Sequence, residues 1–367
     1  MFILYKDYTS IKMSKIEKIV GDENFQKIVK YRKGILDNRN ELIDLLPIDQ
    51  PFSVTIGLTN RCNFGCVFCP TGDLELVRKS KTISTGMMPD KVFYKIIDDI
   101  LLFKQKLKKI SLTGLGEPFL HKNFLNFSEY IRQKNATEKI SVTTNGSLLH
   151  RFDNKRLAKS LDEIIFSIEH VHAEGYKKIT RNFKNFNLIK ENIKNLYNIK
   201  KVVNPKLKIH IKILDIDLSE EEKKNFFEIF GKYADTMNID FAQSFTHSDK
   251  HDFSLNANKD DKTKDGFEKN NEKNMICSQL FMYLKTVWNG NVIACCADWK
   301  QELIIGNIFK NTLEEIWNGP ELNKLRVTHI YKSQKDIGPC ANCDYIKNIV
   351  PKDNLTPHRE KLKKIYR

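Results

Sequence analysis

The sequence predicts an α/β fold of parallel βαβ units with a small second domain behind it. Three observations carry this. From 51 to 243, short β-branched runs alternate with helical periodicity. Over 244–274 the pattern collapses into a polar stretch. From 275 to about 348 it returns, carrying Cys277, Cys295, Cys296, Cys340 and Cys343. Strands that alternate with helices are joined by crossovers and pair in parallel, as an open sheet or a barrel.

Residues 1–50 read as a helical N-terminal extension, with Ile16, Ile19, Val20, Phe25 and Ile28 at three- and four-residue steps. Pro47 and Pro51 then break the chain. A strand over 53–59 (SVTIGLT) runs directly into a cysteine-rich loop. A helix follows over 89–107, opened by Pro-Asp, then a strand over 109–113 (KISLT) and a helix over 123–133. Strands are expected over 139–144 (KISVTT) and 163–168 (EIIFSI), and a helix over 185–196. A strand over 207–214 (LKIHIKIL), a helix over 220–230 and a sixth strand over 237–241 complete the set. The polar 244–274 reads as a flexible linker, and 349–367 as a charged tail.

At 367 residues, with 41% hydrophobic and 29% charged, the composition is that of a globular protein with a proper core. No apolar run approaches membrane-spanning length, and the start has no cleavable signal pattern. The expectation is therefore a cytoplasmic protein. Eight cysteines in a reducing compartment are read as ligands or catalysts before disulfides. The net charge of +15 comes from scattered lysines that do not interleave with aromatics, which argues against nucleic acid as the partner.

The stretch 60-NRCNFGCVFCP-70 holds Cys62, Cys66 and Cys69. Three thiolates are too few for a closed tetrahedral zinc site. They are one short of the four that hold an iron–sulfur cube. After the second strand comes 113-TGLGEP-118, after the third 143-TTNG-146, and at the fourth 166-FSIEH-170. Each stands at the C-terminal end of its strand, where α/β folds place their chemistry. Gly114 and Gly116 permit close approach of backbone. Together these segments resemble the radical S-adenosylmethionine (SAM) superfamily. The resemblance implies a partial (β/α)6 barrel over 51–243. It also implies a 4Fe–4S cluster on Cys62, Cys66 and Cys69, with the fourth iron left open for SAM. Phe68 fits the family pattern before the third cysteine. Glu117 is expected at the SAM amino group, Asn145 and Ser167 at the cofactor, and Arg181 at its carboxylate. Relatives often carry Asp where this chain has Glu169.

In 275–348 the order Cys277, Gly290, Cys295, then Cys340-x2-Cys343, with the text TVWNGNVIACCADW and GNIFKNTLEEIWNG, resembles SPASM/twitch domains. Asn289-Gly290 reads independently as a hairpin turn, with Cys295 on the returning strand. The resemblance implies one auxiliary 4Fe–4S cluster on Cys277, Cys295, Cys340 and Cys343, although four thiolates suit zinc equally well. Whether Cys295 or Cys296 is the ligand is open. Strand alternation points Cys296 away from its neighbour; it is a buried cysteine or a hydrogen-atom donor. His170 and His172, at a strand end, are candidates for a base or substrate contact.

The activity these resemblances imply is hydrogen abstraction through a 5′-deoxyadenosyl radical. By analogy, it would dehydrogenate or epimerise a carbohydrate-type small molecule, such as a nucleotide sugar, with the second cluster as electron acceptor. Flavodoxin or ferredoxin would be the reductant. Peptide maturation, RNA modification and non-enzymatic zinc or cluster binding are the alternatives.

Overall fold

The computed structural model describes residues 21–36, 39–80, 82–183, 185–241, 270, 272, 274–341, 343 and 345–367. One nine-stranded sheet runs through them, in the order β6-β5-β4-β3-β2-β1-β7-β8-β9. Strands β1 (Ser53–Ile56), β2 (Lys109–Leu112), β3 (Ile140–Thr144), β4 (Glu163–Ile168), β5 (Lys208–Asp215) and β6 (Thr236–Phe241) are all parallel. The C-terminal part adds β7 (Tyr283–Thr286) in parallel against β1, then β8 (Asn291–Ile293) and β9 (Ile304–Asn307) antiparallel. The second region therefore continues the sheet of the first instead of forming one of its own.

The sheet does not close. Its β6 edge is covered by the helix Asp22–Leu36, which buries Phe25 and Ile28 and whose Lys27 Nζ donates to Gly231 O at 2.7 Å. An uncovered edge would offer unpaired backbone groups to another chain. Of the apolar positions expected to define the extension, Ile16, Ile19 and Val20 lie outside the described residues. So does nearly all of the expected linker over 244–274.

Parallel sheets are usually apolar on both faces. Here only one face is. Ile164, Phe166 and Ile168 of β4 are buried in the core, while Glu163, Ile165 and Ser167 alternate to the other side. Register carries that second face across the sheet, as Thr55, Ser111, Ser141 and Glu163 in one row and Ser167, Lys212 and Asn238 in another. Lys109 and Lys139 clasp Glu163 at 3.4 and 2.7 Å near the N-terminal ends of the strands. Burial alone would raise the Glu163 carboxyl; its two lysines outweigh that and hold it below the usual range.

The helix expected over 89–107 is Asp90–Leu101, and the one over 185–196 extends as Phe186–Val203. In the parallel-strand region three short helices carry no sequence expectation: Leu74–Lys79, Asn154–Ser160 and Ala173–Thr180. Side chains of Asp73, Asp153 and His172 cap them by accepting backbone N–H bonds at their first turns.

The segment 349–367 is not a loose charged tail. It ends in the helix Arg359–Ile365, buries Leu355 and Leu362, and sets Tyr366 edge-on to Phe281 at 5.2 Å. Most of its charges face out while Asp353 and Arg359 turn inward with its few apolar residues, a pattern too sparse to be read without the surface they cover. No helix among the described residues is long and apolar enough to cross a membrane.

Candidate functional site

The loop after β1 is held open by its neighbours. Asn60 brackets it, donating to Ser84 O at 2.8 Å and accepting from Gly86 N at 2.9 Å. Gly65 N and Val67 N donate to Thr180 O and Ile179 O at 2.9 and 3.0 Å, so the loop leans on the end of helix Ala173–Thr180. Phe64 packs on Phe183 at 4.6 Å, and Phe68 lies half-buried against the core. Gly72 is required by contact, because a Cβ there would stand 2.3 Å from Cys66 O. The sequence carried no signal for it beyond its being glycine.

Cys62, Cys66 and Cys69 are free thiols on this loop. Burial pushes Cys62 up to about 12, and raises Cys66 and Cys69 as well; in each case neighbouring carboxylates add to the effect. The three are close enough that Cys69 raises both of the others. Local help for thiolates comes from Phe64 N, which donates to Cys62 Sγ at 3.4 Å, and from Thr71 Oγ1, 3.1 Å from Cys69 Sγ. A cationic metal group is what would make all three thiolates stable together.

The GEP and TNG segments meet behind this loop. Glu117, 2% exposed, accepts from Phe119 N (3.1 Å), Thr144 Oγ1 (2.8 Å) and Asn145 N (2.8 Å). Burial still outweighs those bonds and pushes its carboxyl up to about 7. Its place is that of a tie between two strand ends, where the sequence reading put it at the SAM amino group. Gly116 serves a similar close approach: a Cβ there would lie 2.3 Å from Arg61 O. Gly114 stands 3.2 Å from the Gly57 Cα by the same measure. Both approaches are to the chain itself. The Asn145 side chain donates to Asn63 Oδ1 at 3.0 Å and accepts from Ser147, and Asn63 donates to Ser147 Oγ at 2.8 Å. This knot sits beside Cys62, 4.0 Å from Asn145 Nδ2.

Ser167 is half-buried on the polar face at the end of β4. One step further, Glu169 was given no role in the sequence reading beyond its departure from Asp. It is buried, raises all three cysteine thiols of the loop, and is itself pushed up to about 8 by burial, against the pull of Lys212. Lys212 Nζ lies 3.1 Å from Asp240 Oδ2, and Asn238 donates to Asp240 Oδ1 at 2.5 Å. The ends of β4, β5 and β6 thus bring a carboxyl, an ammonium, an amide and a second carboxylate to the cysteine side. Arg181 lies at the loop's rim, exposed, and donates to Gly72 O at 3.1 Å. His170 and His172 instead converge on Glu222, with Nε2 atoms 3.5 and 3.1 Å from its Oε1.

In the C-terminal part, Cys277, Cys295, Cys340 and Cys343 line one hollow of about 460 Å³, part of it open to solvent, walled mostly by apolar side chains such as Leu280, Leu303 and Leu325. Gly290 makes the expected turn with φ +86°. Strand β8 ends at Ile293, however, so Cys295 and Cys296 follow the strand and do not lie on it. The alternation argument therefore fails. The two side chains hydrogen-bond to each other, which raises Cys295 and lowers Cys296. Cys296 is absent from the hollow's lining and points toward Tyr283, Lys285 and Tyr345.

Residues 56–217 match the radical SAM superfamily, and residues 277–344 match SPASM, an iron–sulfur cluster-binding domain. The chain therefore carries a radical SAM domain followed by a SPASM domain. Among curated proteins, a GTP 3′,8-cyclase of Desulforamulus reducens is 30% identical over 151 residues, 40% of this chain and 41% of that one. The molybdenum cofactor biosynthesis protein moc-5 of Caenorhabditis elegans is 31% identical over 128 residues, 34% of this chain and 20% of that one. The chain thus spans less than half the length of these relatives. Two solved structures share the fold. Streptococcus suis SuiB bound to S-adenosylmethionine aligns with a TM-score of 0.59 at 14% identity, covering 94% of this chain and 87% of that one. BtrN in complex with AdoMet and 2-DOIA aligns at 0.51 and 17%, covering 79% and 92%. The radical SAM domain implies a 4Fe–4S cluster with SAM, and the SPASM domain implies auxiliary iron–sulfur binding. The donor sets fit: three thiols on one loop, Cys66 buried and Cys62 and Cys69 half-buried, and four around one apolar hollow.

Proposed function

We propose that this chain is a radical SAM enzyme that dehydrogenates or epimerises a carbinol carbon of a small, hydroxyl-rich, carbohydrate-type substrate. In this reading Cys62, Cys66 and Cys69 hold the SAM cluster, and Cys277, Cys295, Cys340 and Cys343 hold one auxiliary cluster. When bound, these groups supply a 5′-deoxyadenosyl radical that abstracts a hydrogen atom, and an acceptor for one electron.

The rest falls to the chain's own side chains. The Asn63–Asn145–Ser147 knot and the Glu117 tie hold the cysteine loop against the strand ends. Ser167, Glu169, Lys212, Asn238 and Asp240 offer hydrogen-bond donors and acceptors to a polyol. The observation that carries the reading is this nearly charge-balanced polar face, which runs out beside the three-cysteine loop. Hydroxyls are recognised by such mixed donors and acceptors, and a site built to pair them rejects analogues that lack them. Cys296, set apart from the hollow, is the position at which an epimerase would differ from a dehydrogenase. A retained product configuration on Cys296→Ala would remove it as hydrogen donor.

A purine nucleotide is the second reading, favoured by the 30% identity to a GTP 3′,8-cyclase. Anaerobic reconstitution separates the two. About eight irons per chain are expected for two four-iron clusters, with 5′-deoxyadenosine formed from SAM under reduction. Stimulation of that product by sugars or aminocyclitols, and not by GTP, supports the first reading. Stimulation by GTP alone supports the second, and zinc without SAM cleavage overturns both.

A further inference from the structure

Among the polar side chains that line the hollow with the four cysteines is one buried group that none of the readings above uses. His329, on the helix Pro320–Tyr331, lines the hollow and is 1% exposed. Its Nε2 is buried with no hydrogen-bond partner. Its Nδ1 is engaged: Cys277 N–H points at it from 3.4 Å, and Met275 O lies at the same distance. With Nδ1 accepting from the Cys277 N–H, the ring proton stands on Nε2; the opposite tautomer would donate Nδ1–H to Met275 O and leave Nε2 without a proton. In the first form the neutral ring presents an N–H with nothing to receive it, walled by the cysteines and by leucines. A buried donor left unmade is destabilising. Such a donor among apolar walls is explained if an acceptor is meant to occupy the hollow.

We propose that His329 Nε2–H is a built-in hydrogen-bond donor to the sulfur of the auxiliary cluster. This rests on the reading of Cys277, Cys295, Cys340 and Cys343 as that cluster's ligands. A hydrogen bond to sulfur withdraws negative charge from the cluster, and the reduced form carries one more negative charge than the oxidised form. The bond therefore favours reduction and raises the potential. For a cluster meant to accept an electron, that is the useful direction. His329 acts here as a positioning and tuning residue; it touches neither substrate nor SAM. The turn of the helix that carries it is anchored as well, since Arg359 Nη1 donates to the His329 backbone O at 2.9 Å.

The test uses the full chain with Cys62, Cys66 and Cys69 changed to alanine, so that one cluster remains to be read. His329→Leu keeps the volume and removes the donor; His329→Gln keeps a donor. The expected result is a lower potential for His329→Leu, with about a tenfold smaller reduced fraction at fixed potential, or about 59 mV for one electron. His329→Gln should recover part of that shift. The reduced cluster should also show coupling to a proton exchangeable with D2O, present with His329 and lost with leucine. Equal potentials in all three proteins, with the cluster intact, overturn the inference and leave the ligand reading standing. If His329→Leu does not assemble a cluster, the exchangeable proton in the parent decides: its absence overturns the inference. A parent that binds zinc and no iron overturns the ligand reading and the inference together.

Discussion

Glu117 shows how one side chain divides its duties. Three donors stabilise its carboxylate, yet the cost of burial is larger and moves its carboxyl from 4.5 to about 7. Between those values the folded chain holds a proton that the unfolded chain has lost. Stability therefore falls as pH rises through that window, and the penalty is complete above it. At 1.36 kcal/mol per unit, it reaches about 3 kcal/mol. In the apoprotein, wild type minus Glu117→Gln should decline across the window in urea titrations. Parallel pH profiles for the two proteins would discard the claim. The cysteines permit a cleaner division. Cys66→Ala should lose about half of the roughly eight irons expected and all SAM cleavage. Cys340→Ala should lose a similar share and keep cleavage, now uncoupled from product. Iron assay and 5′-deoxyadenosine yield, measured together, check both variants. The first set was legible because it lies within eight residues; the second, spread from Cys277 to Cys343, was legible only through its Cys340-x2-Cys343 pair and the text around Gly290. Glu169, Lys212 and Asp240 were not, because they come from three strands and meet only through register. His329 was invisible for the same reason, as a lone histidine on a helix.

At the scale of elements, the parallel strands were readable because β-branched runs and helix periodicity alternate without ambiguity. β4 has the bounds read from the sequence, β5 is shifted by one residue at both ends, and β6 begins one residue earlier. What a run of residues does not reveal is how its ends are used by others. The turn between β7 and β8 is an example. Trp288 lies over Gly86, and its Nε1 donates to Ser84 O at 3.2 Å, so the hairpin tip presses on the segment that also brackets Asn60. A Cβ at Gly86 would come within 2.5 Å of three atoms of the indole. Gly86→Ala should therefore cost about 1–3 kcal/mol by overpacking. In a Trp288→Ala background the same change should cost close to nothing, which is the coupling a double-mutant cycle reads. Additive losses would mean that the glycine matters for some other reason.

At the scale of the molecule, the surprise is continuity. The expected pair of domains shares one sheet, with β7 bonded along the full length of β1, the strand from which the cysteine loop departs. The C-terminal segment then closes the far side. Arg326, buried, lies over Trp317 at 4.3 Å and donates to Leu280 O and Trp317 O at 3.0 and 3.1 Å. Tyr366 packs on Phe281 beside it, and Arg359 bonds the carbonyls that end the His329 helix. If 349–367 were a solvated tail, substitutions in it would be neutral. The packing says otherwise, and two adjacent positions separate the cases. Leu362 is 0% exposed, whereas Lys361 reaches only an exposed pairing with Asp44 at 3.3 Å. Leu362→Ala should cost about 2–5 kcal/mol, through lost burial and the cavity left behind. Lys361→Ala should stay within about 0.5 kcal/mol. Denaturant titrations of the two variants measure this directly, and indistinguishable midpoints would return the segment to the role of a tail. Because the helix Arg359–Ile365 braces the helix that carries His329, Leu362→Ala should also loosen the second iron site. Its iron content should fall before that of the three-cysteine loop as denaturant rises.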